Sequence, residues 1–220
     1  MAMRTHRWYA ATAVALLLSG CGGAPESDST TGKAAALTKE QVGRTLPDDE
    51  VMTGWKQSFQ PTAVEMDKLS RWQACPVKGN AGCENSRFFG AATFRRENPF
   101  ASVTFQVVAY DSEQAAQDAY DVLWDGYYCN QASQTGQRAK TLKLGPIGDE
   151  HDARLGTSGF HGEPGAVTQT RVGTTLLWTM ESAAHKGDID EDSVRGLATM
   201  LAKRSQQAQN GNEPSAALNG

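Results

Sequence analysis

The chain has 220 residues, with 21 Lys and Arg against 25 Asp and Glu, four histidines and four cysteines. A formal net charge of −4 without any basic run excludes a nucleic-acid surface, which needs clustered cations to neutralise phosphates. Glycine loops able to cradle a phosphate are absent as well.

Met1–Trp8 carries Arg4 and Arg7, and the next segment, Tyr9–Leu18, is almost entirely apolar. Such a segment, at about 1.5 Å rise per residue, covers only about half of a hydrocarbon core of roughly 30 Å. It therefore reads as the apolar region of a secretory signal rather than a permanent span. Leu18-Ser19-Gly20-Cys21 follows directly and resembles the lipobox of bacterial lipoproteins. That resemblance implies a signal peptide over residues 1–20, a diacylglycerol on the Cys21 thiol, and a protein held on the extracytoplasmic face of the cell membrane. Two acyl chains suffice for stable anchoring, because each buried CH₂ contributes roughly 0.8 kcal/mol. Residues 21–36 lack large apolar side chains and are rich in Gly, Ser and Thr, the composition of a flexible tether. Without residues 1–20 the balance is 19 basic against 25 acidic residues, so anionic lipid offers no attraction beyond the anchor.

A single domain is expected over residues 37–205, with residues 206–220 as a disordered tail. Thr38 and Gln41 form a capping-box pattern that opens a short helix to about Leu46, ended by Pro47. Pro47–Gln73 reads as a strand with irregular flanks, with Trp55, Phe59 and Trp72 as core contacts. Three cysteines follow Cys21. Closing the loop between Cys75 and Cys83 is worth roughly 2.6 kcal/mol and closing Cys75 to Cys129 about 4.2 kcal/mol in the chain-entropy picture. The short loop contains a Gly79-Asn80 turn and needs no tertiary coincidence, so the local pair is the expectation and the long bridge the alternative. Eight-residue spacing does not fit paired zinc ligands, so no metal is assigned.

Val103, Phe105 and Val107 alternate with Ser102, Thr104 and Gln106, the period of a half-buried strand. Glu97-Asn98-Pro99 turns this strand back on Arg87–Arg96 as a hairpin. Asp111 is the expected cap of the next helix, with Gln114 at the capping-box position. Ala116, Ala119, Tyr120, Leu123, Trp124 and Tyr127 give that helix a broad apolar face. Strand patterns recur at Thr141–Leu144, His151–Leu155, Ala166–Val172 and Thr175–Ser182, the last two joined by the tight turn Gly173-Thr174. A last helix spans Glu191–Ser205. Short turns between strands demand antiparallel pairing. The fold class is thus α+β, a twisted antiparallel β-sheet with helices packed mainly on one face.

The hairpin strand, the helix with Ala115-Ala116, Tyr120 and Trp124 ending at Cys129, Gly148-Asp149, and Arg171-Val172-Gly173-Thr174 occur in an order that resembles a known family. It is that of the extracellular sensor domains of actinobacterial Ser/Thr kinases of the PknH type and their free-standing lipoprotein relatives. The resemblance spans roughly residues 38–205. It implies a sheet-and-helix domain braced by two disulfides, with a ligand cleft and no catalytic residue. Three cysteines make only one bridge, and Trp124 stands five residues before Cys129, both departures from the family pattern.

The expectation for function is a non-catalytic, sensor-like binding domain, without cofactor, acting as a monomer on a small ligand or an envelope protein. Its ligand site is placed in a cleft between the glycine-rich segment 148–163, taken as mobile, and the Arg171–Trp178 hairpin. Arg171 would pair with an anionic group, Trp178 would stack, and Asp149 and His161 would add polar contacts. The alternative is an envelope hydrolase or metal-dependent enzyme built on His151 and His161 with their neighbouring carboxylates. Gly156-Thr157-Ser158-Gly159-Phe160 approaches a nucleophile elbow but has Phe160 where glycine is required.

Overall fold

The computed structural model describes residues 34–69, 75–133, 136, 138–158, 162–184 and 188–218. Seven strands form one antiparallel sheet in the order β1-β2-β3-β7-β6-β5-β4. They are β1 Lys56–Glu65, β2 Ser86–Glu97, β3 Phe100–Tyr110, β4 Lys140–Thr141, β5 Glu150–Ser158, β6 Glu163–Val172 and β7 Thr175–Ala183. Three α-helices occur among the described residues: α1 Lys39–Thr45, α2 Glu113–Gly126 and α3 Glu191–Gln209.

Strand alternation gives the sheet two apolar faces. Val103, Phe105, Val107 and Ala109 of β3 join Ala166 and Leu177 beneath Val42 and Leu46 of the α1 end and Val194, Leu197 and Leu201 of α3. Val108 and Tyr110 point the other way and join Val167, Leu176 and Trp178 beneath Ala116, Ala119, Tyr120, Leu123 and Trp124 of α2. The α+β class is as expected, and two of the three helices share one face while α2 takes the opposite one. Burial of each large apolar side chain contributes roughly 1.5–3 kcal/mol.

Local chemistry sets the helix ends. Thr38 and Gln41 make a reciprocal capping box on α1, and Leu46, restrained by the following Pro47, leaves in an extended conformation. The α2 cap is Ser112, whose hydroxyl accepts the Ala115 amide, and not Asp111. The Asp111 amide instead donates to the Asn85 carbonyl at 3.0 Å, and its carboxylate pairs with Arg87 at 3.3 Å. Strand bonding thus runs past Tyr110 and pushes the helix start along by one residue. Cys75 and Cys83 form the disulfide, with Cα atoms 5.9 Å apart, and Cys129 is a free, half-buried thiol.

Three expectations are corrected. Phe59 lies on edge strand β1 and is 73% exposed, whereas Trp55 is buried with the Arg96 guanidinium 5.0 Å above its ring; Trp72 lies outside the described residues. The segment 148–163 is not a mobile loop: residues 150–158 are β5, and Gly156 faces Gly165 in the ladder. A Cβ on Gly156 would come within 2.3 Å of the Ala132 carbonyl oxygen, so this glycine permits close packing.

The third correction concerns the tail. Helix α3 continues to Gln209, and the residues after it pack back on the domain. The Gln207 carboxamide accepts the Ser215 and Ala216 amides, and the Leu218 amide donates to Val51. Arg204 is buried and donates to the carbonyls of Arg44, Thr45 and Leu46, which α1 leaves unsatisfied at its C-terminal end, and to Ala216. Polar composition suggested fraying, but these side chains spend their polarity on backbone.

Candidate functional site: an uncovered half of the sheet

Two of the expected site residues meet, but as an internal ion pair. Glu150 stands opposite Arg171 in the β5–β6 ladder. The Arg171 guanidinium donates to Glu150 Oε1 at 2.9 Å and to Asp149 Oδ2 at 3.1 Å, and its side chain is only 12% exposed. Asp149 Oδ2 also accepts the Gly173 amide at 2.7 Å. The cluster ties the β6–β7 turn to the start of β5. The described parts of β5, β6 and β7 are hydrogen-bonded neighbours, and the pocket at this end, about 240 Å³, lies between Gly148, Asp149 and Val172 and the α3 residues Thr199, Ala202, Lys203 and Gln206.

Trp178 is fully buried on a central strand. Its indole N–H donates to Gln169 Oε1 at 2.7 Å and its ring stacks on Tyr128 at 4.4 Å. The Gln169 carboxamide in turn donates to the Tyr120 carbonyl at 2.8 Å, so this buried amide is satisfied at both ends. His161 lies outside the described residues. His151 is exposed, with Nδ1 3.1 Å from the Ile147 carbonyl oxygen. Thr157 and Ser158 belong to β5, and the next described element is strand β6. Among the described residues no group of three His, Cys, Asp or Glu side chains could hold a metal ion.

A different surface is open. Helix α2 covers the rows of Val108, Tyr110, Leu176 and Trp178 and then ends at Gly126. Tyr128 closes the exposed side of that core, its ring on Trp178 and its phenol donating to Gln106 Oε1 at 2.9 Å. Beyond it no described residue covers the same face of β3 and β7. There Thr104 stands opposite Met180 and Ser102 opposite Ser182, all half-buried.

This surface is a groove with two compartments. One, of about 570 Å³, is lined by Phe100, Ser102, Thr104, Met180, Ser182 and Gln131, with Ser158 and Glu163 on the β5–β6 side. The second, of about 370 Å³, is lined by Leu69, Pro76, Phe89, Gln106, Tyr127 and Tyr128. Met180 belongs to both.

Burial pushes the phenol pKa of Tyr128 far above its ordinary value, so it stays a neutral donor. Glu181 borders the groove only through its backbone, since alternation turns its side chain to the α3 face between Val103 and Ala166. There it is 4% exposed, its Oε2 has no hydrogen-bond partner among the described residues, and burial raises its pKa to about 7. The nearby Asp190 carboxylate adds to that rise and Arg96 opposes it.

The groove residues were legible in the sequence only as the polar half of an alternating strand. The overlooked signal is the position of that strand. A polar alternate on an edge meets solvent, but β3 and β7 are central, and a polar row there marks a face that no described helix covers.

No family model matches the sequence, and no curated protein matches it. Among solved structures, the extracellular domain of PknH from Mycobacterium tuberculosis matches with a TM-score of 0.51. The match covers 81% of this chain and 100% of that domain, at 9% sequence identity. This chain resembles the PknH extracellular domain. At that identity the likeness is one of fold, and it agrees with the resemblance carried by element order in the sequence. The one disulfide, Cys75–Cys83, lies under α2, where Tyr110 donates its hydroxyl to the Gly82 carbonyl at 2.7 Å.

Proposed function

We propose that the protein is an exported lipoprotein, anchored through Cys21, whose domain is a non-catalytic binding module with its ligand site in the groove between α2 and the far end of β3 and β7. The observation that carries this reading is a half-covered central face, concave and half-buried, in a domain whose other face is closed. Pockets of this size, walled by apolar rings with a few convergent polar groups, are the usual form of small-ligand sites. The fold likeness to a kinase extracellular domain supports an extracytoplasmic, non-enzymatic role. No described helix is long and apolar enough to cross a membrane, so the anchor in this reading is the lipid on Cys21.

The tether would join the domain at the end away from the groove. The Ala34 amide donates to Glu113, and the Ala35 carbonyl accepts the Thr174 hydroxyl, beside the β6–β7 turn. Ser182 lies at the other end of β7, seven residues or about 25 Å along the strand from Thr175. The groove would then face away from the attachment point.

Two experiments test this. Cys21→Ala should abolish incorporation of labelled palmitate and release the protein from the membrane fraction or stall it as precursor; unchanged label would contradict the anchor. Ser182→Trp should fill the groove, preserve the thermal midpoint within a few degrees, and remove the thermal stabilisation conferred by any envelope ligand. Retained stabilisation in a folded variant would contradict the site.

A further inference from the structure

The groove's lining also selects among ligand classes. The Ser102 and Ser182 hydroxyls lie 2.9 Å apart, and those of Thr93 and Thr104 lie 3.2 Å apart in the neighbouring row. Two paired hydroxyls share one hydrogen, so each pair keeps a donor and several lone pairs for a third group. Gln106 spends its Oε1 on Tyr128, which leaves its NH₂ to donate into the second compartment.

The apolar part of this face combines two exposed rings, Phe100 and Tyr127, with Leu69, Pro76, Phe89 and Met180. Phe100 is 51% exposed at the start of β3, and Tyr127 borders the opposite compartment. Phe59, across the ladder from Thr93, extends the face at its edge. Residues directly opposite in a ladder project to the same side. Among the described lining residues only Glu163 brings a charged group to this face and none is a Lys or Arg, while Arg95 stands opposite Ser102 on β2 and Arg154 of β5 lies in the row of Met180.

From this lining we infer that the groove takes a neutral, linear oligosaccharide. The inference rests on the groove being the ligand site and names the ligand's class. Sugar rings present C–H faces that rest on Phe100 and Tyr127, and hydroxyls that exchange hydrogen bonds with Ser102, Ser182, Thr104 and Gln106. An acyl chain would displace water from those hydroxyls and offer nothing in return. A phosphate or carboxylate would find no cation among the described lining residues and Glu163 to repel it, with Arg95 and Arg154 set further out on the face. Two compartments meeting at Met180 favour an elongated ligand over a compact one.

The test uses the full chain carrying Cys21→Ser, titrated with chitohexaose, maltohexaose, myristate and inorganic phosphate. Binding is followed by tryptophan fluorescence and amide chemical shifts. At least one hexasaccharide should saturate and shift Ser102, Thr104, Met180 and Ser182. Phe100→Ala and Ser182→Ala should each weaken it about tenfold, the scale of one lost stacking or hydrogen-bond contact, at an unchanged thermal midpoint.

No response to either hexasaccharide overturns the glycan assignment. Myristate shifting Met180 and Ser182 in that case keeps the groove as the site with an acyl ligand. Responses confined to the Glu150–Arg171 end overturn the site as well.

Discussion

On the face under α1 and α3, β3 presents Val103, Phe105 and Val107, all fully buried; on the face under α2 the same strand presents Ser102, Thr104 and Gln106, all half-exposed. The first face is closed so completely that it encloses a carboxylic acid, Glu181, and a guanidinium, Arg204. Among the described residues the second is roofed only over the rows of Tyr110 and Trp178, because α2 ends at Gly126. One set of strands therefore supplies stability through alternate side chains and an open groove, the proposed binding surface, through those between them. The extent of helix cover decides which role a face takes.

The sharpest way to break that comparison is to truncate one residue from each face. Phe105→Ala should cost roughly 3–5 kcal/mol, the usual loss for a buried aromatic, read as a shifted denaturant midpoint. If it costs under about 1 kcal/mol, the closed face is not the stabilising one.

Glu181 sharpens the contrast through pH. Its folded pKa, about 7, lies above its ordinary value of 4.5, so the folded state holds this proton more tightly than the unfolded chain. The resulting stability is fully present below about pH 4.5 and is lost as pH rises through 7. Glu181→Gln, which removes the titration while keeping the shape, should match the wild type near pH 4 and exceed it by about 3 kcal/mol at pH 8. A difference that does not change with pH would contradict the enclosure of this group.

The disulfide belongs to the partly covered face, since Cys75 packs with α2. Replacing both Cys75 and Cys83 by Ser should lower stability by roughly 2.6 kcal/mol. Hydrogen exchange should quicken first in α2, with α3 less affected. The smallest effect is expected at Phe100→Ala, within about 0.5 kcal/mol by denaturation, because its ring already meets water.

Local patterns made most of the fold legible. Period-two alternation marked β3, turn signals marked its hairpin with β2 and the β6–β7 pair, and three- and four-residue spacing marked α2, because these signals are local in sequence. What stayed hidden depends on distant partners. Arg204, in a segment that reads as a helix end, is held by carbonyls at the end of α1. Gln207 and Leu218 order a stretch whose composition resembles a tail. The roles of the expected site residues in the framework stayed hidden for a related reason. Arg171, Asp149 and Trp178 are the residue types that bind ligands, but their partners Glu150, Gly173 and Gln169 absorb them into the framework. The serines and threonines of the groove are chemically plain, and only the order of strands in the sheet reveals them.

The most direct measurement is an amide chemical-shift map of the full chain with Cys21→Ser, saturated with whichever hexasaccharide it binds. The expected result is a continuous set of shifts along Ser102–Gln106 and Met180–Ser182, with Glu150, Arg171 and Gly173 unmoved. Shifts centred on Glu150, Arg171 and Gly173, with β3 and Met180–Ser182 silent, would contradict the account.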